Sequence, residues 1–332
     1  MILTLQKPKG SAPLGGRVFR SALWALREEP VVWPRFGLVG PDCAGSHTDM
    51  DYGLLQRGAE PVANYAVAAF HLGWTGEGSS REFYQLRQQG VTAERHMLIA
   101  TGGINTHKGS IFLFGLLSYA LGQALQRDLA LSLADLFAQA TRMSHLALVA
   151  DLISQHRSFS ETYGEWAYRR HGLLGIRGTA INGFGRLHDA LHWLANKTRS
   201  NIVLLYGQLR LYFLACCEDT NIVKRVGLAG ALRIRHHAFE ALKAGGMFQV
   251  RGLLEIQRLE DRMQRTKCSA AASGDMMILV MFFERLGRHG LLNWQGHPRC
   301  TRQEICNKVD LDAISRDPYR GGVHLAGLYE AA

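Results

Sequence analysis

Four short polar clusters between long apolar segments hold the residues best suited to chemistry in this chain. The first is "GSHTDMDY" (45–52), in which Asp49 and Asp51 are two residues apart. On a regular helix this spacing turns two side chains about 200° apart, so they can share a ligand only from a loop that runs into a helix. Such carboxylates either cap the following helix or bind a divalent cation through oxygen. We predict Asp51 near an N-cap, and both roles stay open.

The second cluster opens the stretch "ATGGINTHKGSIFLFGLLSYALG" (100–122), where polar residues directly precede an apolar run. The free amides at the start of the apolar helix form an anion site that the charge of Lys108 strengthens, and Thr106 is predicted to cap the helix. His107 can donate a hydrogen bond or exchange a proton. The spacing of a Walker loop is absent, and phosphate binding fits as well as an ordinary capped helix. The residues predicted to bind phosphate are Gly102, Gly103, Asn105, Thr106 and Lys108.

The third cluster is "YGEWAYRRHGLLGIRGTAINGFG" (163–185), in which Arg177 lies between two glycines. We predict that these glycines place Arg177 in a loop, from which a guanidinium group can bind a phosphate through two hydrogen bonds. The alternative is a surface arginine stacked on an aromatic neighbour, and it applies above all to Arg169 and Arg170.

The fourth cluster, "CCEDTNIVKRVG" (216–227), follows an apolar helix. Acidic residues at a helix C-terminus oppose the helix dipole, so Asp219 is predicted to need a compensating cation. A weaker fifth cluster, "CSAAASGDMMILVMF" (268–282), contains Ser273 and Asp275. Here a plain N-cap of the apolar helix that follows explains Asp275.

The helical period of the long apolar segments predicts an all-α fold. The predicted helices cover residues 111–125, 129–152, 187–196, 201–217, 228–243 and 275–287. Pro61 is expected to split residues 51–74 into two short helices, since proline favours a first helical turn. We expect a single-domain multi-helix bundle with a central polar cleft. Its parts would be an N-terminal segment (1–30), a helical domain (31–290) and an irregular tail (291–332) packed on the domain.

Composition narrows the class of partner. The 332 residues are 47% hydrophobic with only 8 prolines, which indicates one globular domain with a full core. Lys and Arg exceed Asp and Glu by 38 − 28 = 10, a charge that attracts anions. No basic stripe with interleaved aromatic residues is present, so a nucleotide-like small molecule fits better than nucleic acid.

The six cysteines are typical of reduced thiols, and no run of about 18 apolar residues occurs. We therefore predict a cytoplasmic protein without a membrane anchor. His297, Cys300 and Cys306 stand close together in the sequence, but their spacing fits no standard zinc pattern.

Taken in order, these clusters resemble the triphosphoribosyl-dephospho-CoA synthases, which make the prosthetic-group precursor of citrate lyase and malonate decarboxylase. The resemblance covers residues 36–280, about three quarters of the chain. The matching pieces are "FGLVG…GSHTDMD", "TGGINTHKGSIFLFGLL", "YGEWAYRRHGLLGIRGTA", "EDTNIVKRVG" and "LEDRMQRTKCSAAASGD". It implies an all-helical transferase that moves a triphosphoribosyl group from ATP to the ribose 2′-hydroxyl of dephospho-CoA and releases adenine.

The resemblance also implies site residues. Displacement of adenine builds positive charge at the ribose C1 carbon, so negative charge, a base and a proton donor are needed. The expected catalytic residues are Asp51, Asp49, Asp219 and His107. The expected ligands of one or two Mg²⁺ ions on ATP are Asp49, Asp51, Asp219 and Asp275, with Asp51 doubling as base or cation stabiliser. Lys108 and Arg177 would neutralise phosphates, and Asn221 and Ser273 complete the expected substrate contacts.

The chain departs from the family pattern at several positions. Alanines stand at 270–272 where members carry Pro-Gly-Gly, and the other changes are Phe36 for Pro, Gly40 for Asp, Tyr163 for His and Thr179 for Glu. Three alternatives follow: a divergent member with another donor or acceptor, a magnesium-dependent N-glycosidase, and a non-catalytic nucleotide-binding protein. Beyond ATP and dephospho-CoA, an acyl-carrier subunit or its prosthetic-group transferase is the expected partner. The oligomeric state stays open.

Overall fold

The computed structural model describes residues 11–127, 132–154, 163–198, 201–289 and 291. These residues form helices and connecting loops and contain no β-strand, so the predicted all-α fold is confirmed. The helices are α1 (Ser11–Glu28), α2 (Tyr52–Thr75), α3 (Ser80–Ala100), α4 (Lys108–Gln126), α5 (Leu133–Ser154), α6 (Tyr163–His171), α7 (Gly175–Ile181), α8 (Gly185–Ala195), α9 (Ile202–Cys216), α10 (Thr220–Lys243), α11 (Val250–Arg265) and α12 (Ala271–Arg288).

Helix α4 is the central element of the larger hydrophobic core and packs against α2, α3, α5 and α12. Two glycines permit the close contact with α2. A Cβ atom on Gly122 would lie 2.0 Å from the carbonyl oxygen of Phe70, and one on Gly73 would lie 2.0 Å from that of Tyr119. Helix α4 is apolar and long enough to cross a membrane, but 83% of its apolar window is buried inside the protein. It is therefore a core helix.

A second hydrophobic core lies among α9, α10 and α11. Next to it, the fully buried guanidinium group of Arg210 on α9 donates to the carbonyl oxygens of Val32 (3.0 Å) and Glu29 (2.8 Å), and it pairs with the Glu29 carboxylate. Burial raises the pKa of Glu29, and the nearby guanidinium opposes that change. This buried ion pair links α9 to the segment that follows α1.

The prediction that Pro61 divides the second helix is wrong, because α2 runs unbroken through it. Proline removes one backbone hydrogen bond, the one to the carbonyl of Arg57. Arg57 is exposed, so water can replace the missing N–H group. The packing of α2 against α1 and α4 supplies the stabilisation that offsets the cost.

The sequence patterns did not predict several of the helices. Helices α1, α3 and α11 are rich in polar and charged residues, and each presents its apolar residues on one face only. A signal for α3 was available, since Ser79 and Glu82 form a capping box. Within the predicted N-terminal segment, α1 packs against α2 and α12. The tail beyond residue 291 and its His-Cys cluster lie outside the described residues.

Candidate active site

The N-terminal ends of four helices, α2, α4, α10 and α12, meet in one region, and the polar clusters lie there. His107 is the N-cap of α4, and its Nε2 atom lies 3.1 Å from the carbonyl oxygen of Leu55 in the first turn of α2. The hydroxyl of Ser110, in the first turn of α4, donates to Asp275 of α12 (2.5 Å). Gly109 leaves room for that carboxylate, since a Cβ atom there would lie 2.1 Å from its Oδ2 atom. The α4 N-terminus thus contacts both neighbours.

Asp219 joins α10 to α12. It is the N-cap of α10, where Oδ1 accepts from the backbone N–H groups of Asn221 (2.9 Å) and Ile222 (3.2 Å). Its Oδ2 atom accepts from the N–H of Ala272 (2.8 Å) in the first turn of α12. The prediction that Asp219 opposes a helix dipole is therefore wrong. The next helix begins one residue later, so the carboxylate faces two positive helix ends.

Asp275 also differs from its predicted role. It lies in the second turn of α12, which begins at Ala271, so it does not cap that helix. Instead its carboxylate accepts hydrogen bonds from Ser110 in the first turn of α4. A carboxylate from one helix thus stabilises the N-terminus of another, an arrangement that no local pattern encodes.

The loop before α2 closes the site on one side. Asp51 is the N-cap of α2, as predicted, and accepts from the N–H of Leu54 (2.8 Å). Asp49 is exposed, and its Oδ1 lies 3.5 Å from Nδ1 of His47. The Nε2 atom of the same histidine lies 3.0 Å from the hydroxyl of Ser269, just before α12. Asp49 is therefore linked to the α12 start through His47.

Burial raises the pKa of Asp219 to about 6 and that of Asp275 to about 7. At Asp275 the negative charges of Glu29 and Asp219 add to this rise, and hydrogen bonds from Ser110 oppose it. At Asp219 the backbone N–H of Ala272 is the main opposing influence. Carboxyl groups with a pKa near neutrality can both accept and release a proton under physiological conditions.

His107 is buried, with 4% of its surface exposed. Burial lowers its pKa to about 4, although the hydrogen bond with the Leu55 carbonyl opposes the change. A carbonyl oxygen can only accept, so Nε2 carries the proton and the ring is neutral at pH 7. The proton transfer predicted for His107 stays a prediction. The hydrogen bond from its ring to the Leu55 carbonyl holds the start of α4 against α2.

The glycine turn before α4 is open to solvent. Gly102 and Gly103 have φ values of 65° and 92°, and a Cβ atom on either would meet nothing within 4 Å. Thr106 does not cap α4 as predicted. The side-chain oxygen of Asn105 accepts from the N–H of Lys108 (3.1 Å) instead, because Thr106 is turned inward against α2. The Nζ atom of Lys108 pairs with Glu94 on α3 at 2.7 Å.

Arg177 lies within the short helix α7, so its predicted loop is wrong. The N–H of Gly175 donates to the Glu218 carboxylate (3.0 Å), which fixes the start of α7 next to the N-cap of α10. The Nη2 atom of Arg177 lies 3.8 Å from Glu165 on α6. The side chain of Arg177 therefore contacts α6, while the start of its own helix is held beside α10.

Asn221 and Ser273, the last two predicted substrate contacts, lie in different surroundings. Asn221 is exposed in the first turn of α10, where its side chain also bonds to Asp219. Ser273 is 2% exposed, and its hydroxyl donates to the carbonyl of Arg210 in α9 (3.1 Å). Asn221 thus borders the site, whereas the hydroxyl of Ser273 links α12 to α9.

The residues described by the structure include no group of three or more His, Cys, Asp or Glu side chains placed to hold a metal ion. The four aspartates predicted as one ligand set form an exposed pair before α2, Asp49 and Asp51, and a pair between helices, Asp219 and Asp275. We call the second the buried pair, although Asp275 keeps part of its surface exposed. The buried pair accepts hydrogen bonds from backbone and hydroxyl groups. Mg²⁺ commonly binds to one or two carboxylates together with substrate phosphates, and the exposed pair suits that mode.

Two residues of the site were missed at the level of sequence, although both lie in quoted motifs. His47 is the histidine of "GSHTDMD", and Ser110 follows "THKG". The backbone at 270–272 accommodates alanine without strain. Asp219 approaches the N–H of Ala272, and Ala270 has a negative φ of −84°, so neither position requires glycine.

Converging helix N-termini with basic residues and paired carboxylates are features of a protein that binds a polyphosphate and moves a proton beside it. The family model of ATP:dephospho-CoA triphosphoribosyl transferases matches residues 16–293. The chain belongs to this family.

Named relatives agree with that assignment. The chain is 32% identical to a probable 2-(5″-triphosphoribosyl)-3′-dephosphocoenzyme-A synthase 1 of Salmonella typhimurium over 263 residues, which covers 78% of this chain and 87% of the relative. It is 32% identical to the Klebsiella pneumoniae synthase and 28% identical to a probable synthase of Acinetobacter calcoaceticus, with the same coverage. No solved structure matches the chain.

Proposed function

We propose that this transferase moves the triphosphoribosyl group of ATP to the 2′-hydroxyl of 3′-dephospho-CoA at the meeting point of α2, α4, α10 and α12, with release of adenine. The observation that carries the proposal is the pair Asp219 and Asp275 between helix N-termini. Asp219 is buried, Asp275 is partly buried, and the pKa values of both are near neutrality. Family membership supports the two substrates.

The triphosphate is assigned to the exposed start of α4. The N–H groups and the dipole of this helix end favour negative charge, and Lys108 adds a full positive charge. The open turn at Gly102 and Gly103 lets phosphate oxygens approach the backbone closely. Arg177 is assigned to the outer edge of the same anion.

Proton transfer is assigned to the buried pair. The acceptor 2′-hydroxyl must lose a proton as it attacks the ribose C1 carbon, while the bond from C1 to adenine breaks and adenine takes up a proton. Asp275 is the proposed base, since a pKa of about 7 makes it an effective proton acceptor at neutral pH. Asp219 stays close enough to place negative charge near the developing cation.

Mg²⁺ would supply charge neutralisation of the triphosphate. Asp49 and Asp51 are proposed to hold it, because both lie at the exposed loop before α2. His47 orients Asp49 and joins this loop to the start of α12.

An acyl-carrier subunit or its prosthetic-group transferase remains the proposed downstream partner, and the net charge of +10 suits an acidic surface. The cytoplasmic location also stays a prediction. Cys43, Cys216, Cys217 and Cys268, the cysteines in the described ranges, are free thiols.

The decisive experiment incubates the protein with ATP, Mg²⁺ and dephospho-CoA and follows adenine and the joined product by chromatography. We expect equal amounts of both, and none when dephospho-CoA is left out. Adenine formed without the acceptor would indicate an N-glycosidase instead. Thermal stabilisation by ATP with no product would indicate a non-catalytic nucleotide-binding protein.

A further inference from the structure

A groove of about 640 Å³ lies between α2 and α3, away from the polar clusters. The residues that line it include no Lys, Arg, Asp or Glu. Its polar side chains carry amide, hydroxyl or imidazole groups. They include Asn64, Gln85, Gln88, Gln89, Thr92 and His96. A groove without lysine, arginine or carboxylate side chains suits an uncharged ligand that offers amide groups of its own.

One end of the groove lies close to the active site. Its α2 wall runs from Pro61 to Leu72 at helical spacing, and one turn before Pro61 the same stripe reaches Gly58. A Cβ atom on Gly58 would lie 2.2 Å from Oγ1 of Thr106, at the start of α4. The α3 wall ends at His96, six residues before the glycine turn at 102–103. One end of the groove therefore lies next to the segment that leads into α4, where the triphosphate is assigned.

One wall residue has an unused acceptor. The Oε1 atom of Gln89 is buried and has no hydrogen-bond partner in the part of the chain that the structure describes. A buried polar atom without a partner costs roughly 1–3 kcal/mol. A ligand N–H group that reached this oxygen through a rotation of the Gln89 amide would remove that cost.

We propose that this groove binds the pantetheine arm of dephospho-CoA while the adenosine end lies among the helix N-termini. This inference rests on the proposed function. The arm is uncharged, carries two amide groups and a hydroxyl, and is apolar between them, which matches amide side chains above a surface that includes Ala68 and Leu72. The groove length fits as well. Pro61 and Leu72 are about 16 Å apart along α2, and an extended arm, comparable to four or five peptide units, is roughly 15 Å long.

The first test fills the groove. Ala68 is exposed on α2 and lines the groove, so Ala68→Trp should block the arm without disturbing the core. The matched control is Ala150→Trp, which places the same side chain at an exposed position on α5. We expect the dissociation constant for dephospho-CoA, measured by calorimetry, to rise at least tenfold in Ala68→Trp and to stay unchanged in the control. ADP, which lacks the arm, should bind all three proteins equally.

The second test removes the unused acceptor. Gln89→Leu keeps the size of the side chain and deletes the amide. We expect weaker binding of dephospho-CoA, by about three- to tenfold, with an unchanged or higher melting temperature, since the variant no longer buries an unpaired oxygen. A purely structural role for Gln89 would instead lower the melting temperature and leave both ligands unaffected.

These measurements separate the inference from the proposed function. Unchanged dephospho-CoA binding in Ala68→Trp overturns the groove assignment even if adenine release proceeds normally. An equal loss of ADP binding in that variant also overturns it, because the effect would then not concern the arm. If the protein binds dephospho-CoA through the groove but forms no product, the proposed function fails and the groove assignment stands.

Discussion

Two pairs of aspartates bracket the candidate active site, and their surroundings differ. Asp49 and Asp51 lie in an exposed loop at the start of α2. Asp219 and Asp275 lie between helices, where burial raises their pKa values to about 6 and about 7. Aspartate side chains are therefore suited to two different tasks in this protein. The exposed pair can offer oxygen ligands to a cation, whereas the buried pair can exchange protons near pH 7.

The difference comes from packing around the helix starts. Each buried carboxylate accepts hydrogen bonds that favour its charged form, but loss of water outweighs them. Asp51 accepts one backbone N–H at an exposed helix end, as an ordinary cap does. Substitutions that change charge but keep shape test this division of labour.

The largest effect is expected from Asp275→Asn. The amide can still accept from Ser110 but cannot take a proton, so kcat for adenine release should fall by roughly 10²–10⁴. The KM for each substrate should change little. A kcat within threefold of wild type would exclude Asp275 as the base.

The pH dependence of the same variant gives a second measurement. The folded protein holds a proton on Asp275 up to about pH 7, whereas the unfolded chain loses it near the ordinary value of 3.8. Ionisation of Asp275 therefore reduces the free energy of unfolding as the pH rises through this window. We expect Asp275→Asn to melt at a higher temperature than wild type at pH 8 and at the same temperature at pH 4. The rise of kcat through neutral pH in the wild type should be absent in the variant.

A smaller loss is expected from Asp219→Asn. Asparagine caps helices well, so the α10 N-terminus should survive, but the amide cannot both cap α10 and accept from Ala272. We expect kcat to fall by about 10–100-fold and the melting temperature to fall by a few degrees. Asp261→Asn, on the exposed face of α11, is the control that should change neither.

The exposed pair should behave differently. Asp51→Asn keeps the N-cap and removes the charge, so we expect a KM for Mg-ATP about tenfold higher with an unchanged melting temperature. Asp51→Ala should show the same KM and lose about 1 kcal/mol of stability in addition. If kcat rather than KM collapses in Asp51→Asn, the two pairs have exchanged roles.

The smallest effect is expected from Lys108→Ala. The variant removes one charge from the triphosphate site, and the KM for ATP should rise about three- to tenfold, more at low salt than at high salt. The ion pair with Glu94 is partly exposed, so stability should change by less than about 0.5 kcal/mol. Glu94→Gln frees the lysine and should leave the KM for ATP equal or lower.

Much of the fold could be predicted from local pattern. Helices α4, α5, α8, α9 and α12 were found within a few residues, because their apolar residues recur along segments too long for strands. The N-cap role of Asp51 could also be predicted, because it depends only on residues next to it in the sequence. The amphipathic helix α3 was missed because only one of its faces is apolar. The prediction from Pro61 was wrong because the local preference of proline does not include the packing of α2 against α1 and α4.

The sequence by itself determined the helical class, the polar clusters and, through its motifs, the family. Only the tertiary structure decided which clusters meet. Asp219 and Asp275 are 56 residues apart, and the pKa of each depends on helix ends that fold against it from elsewhere in the chain. The groove between α2 and α3 likewise exists only once the two helices pack. Helix formation is encoded within a few turns, whereas burial and its electrostatic consequences depend on residues far apart in the sequence.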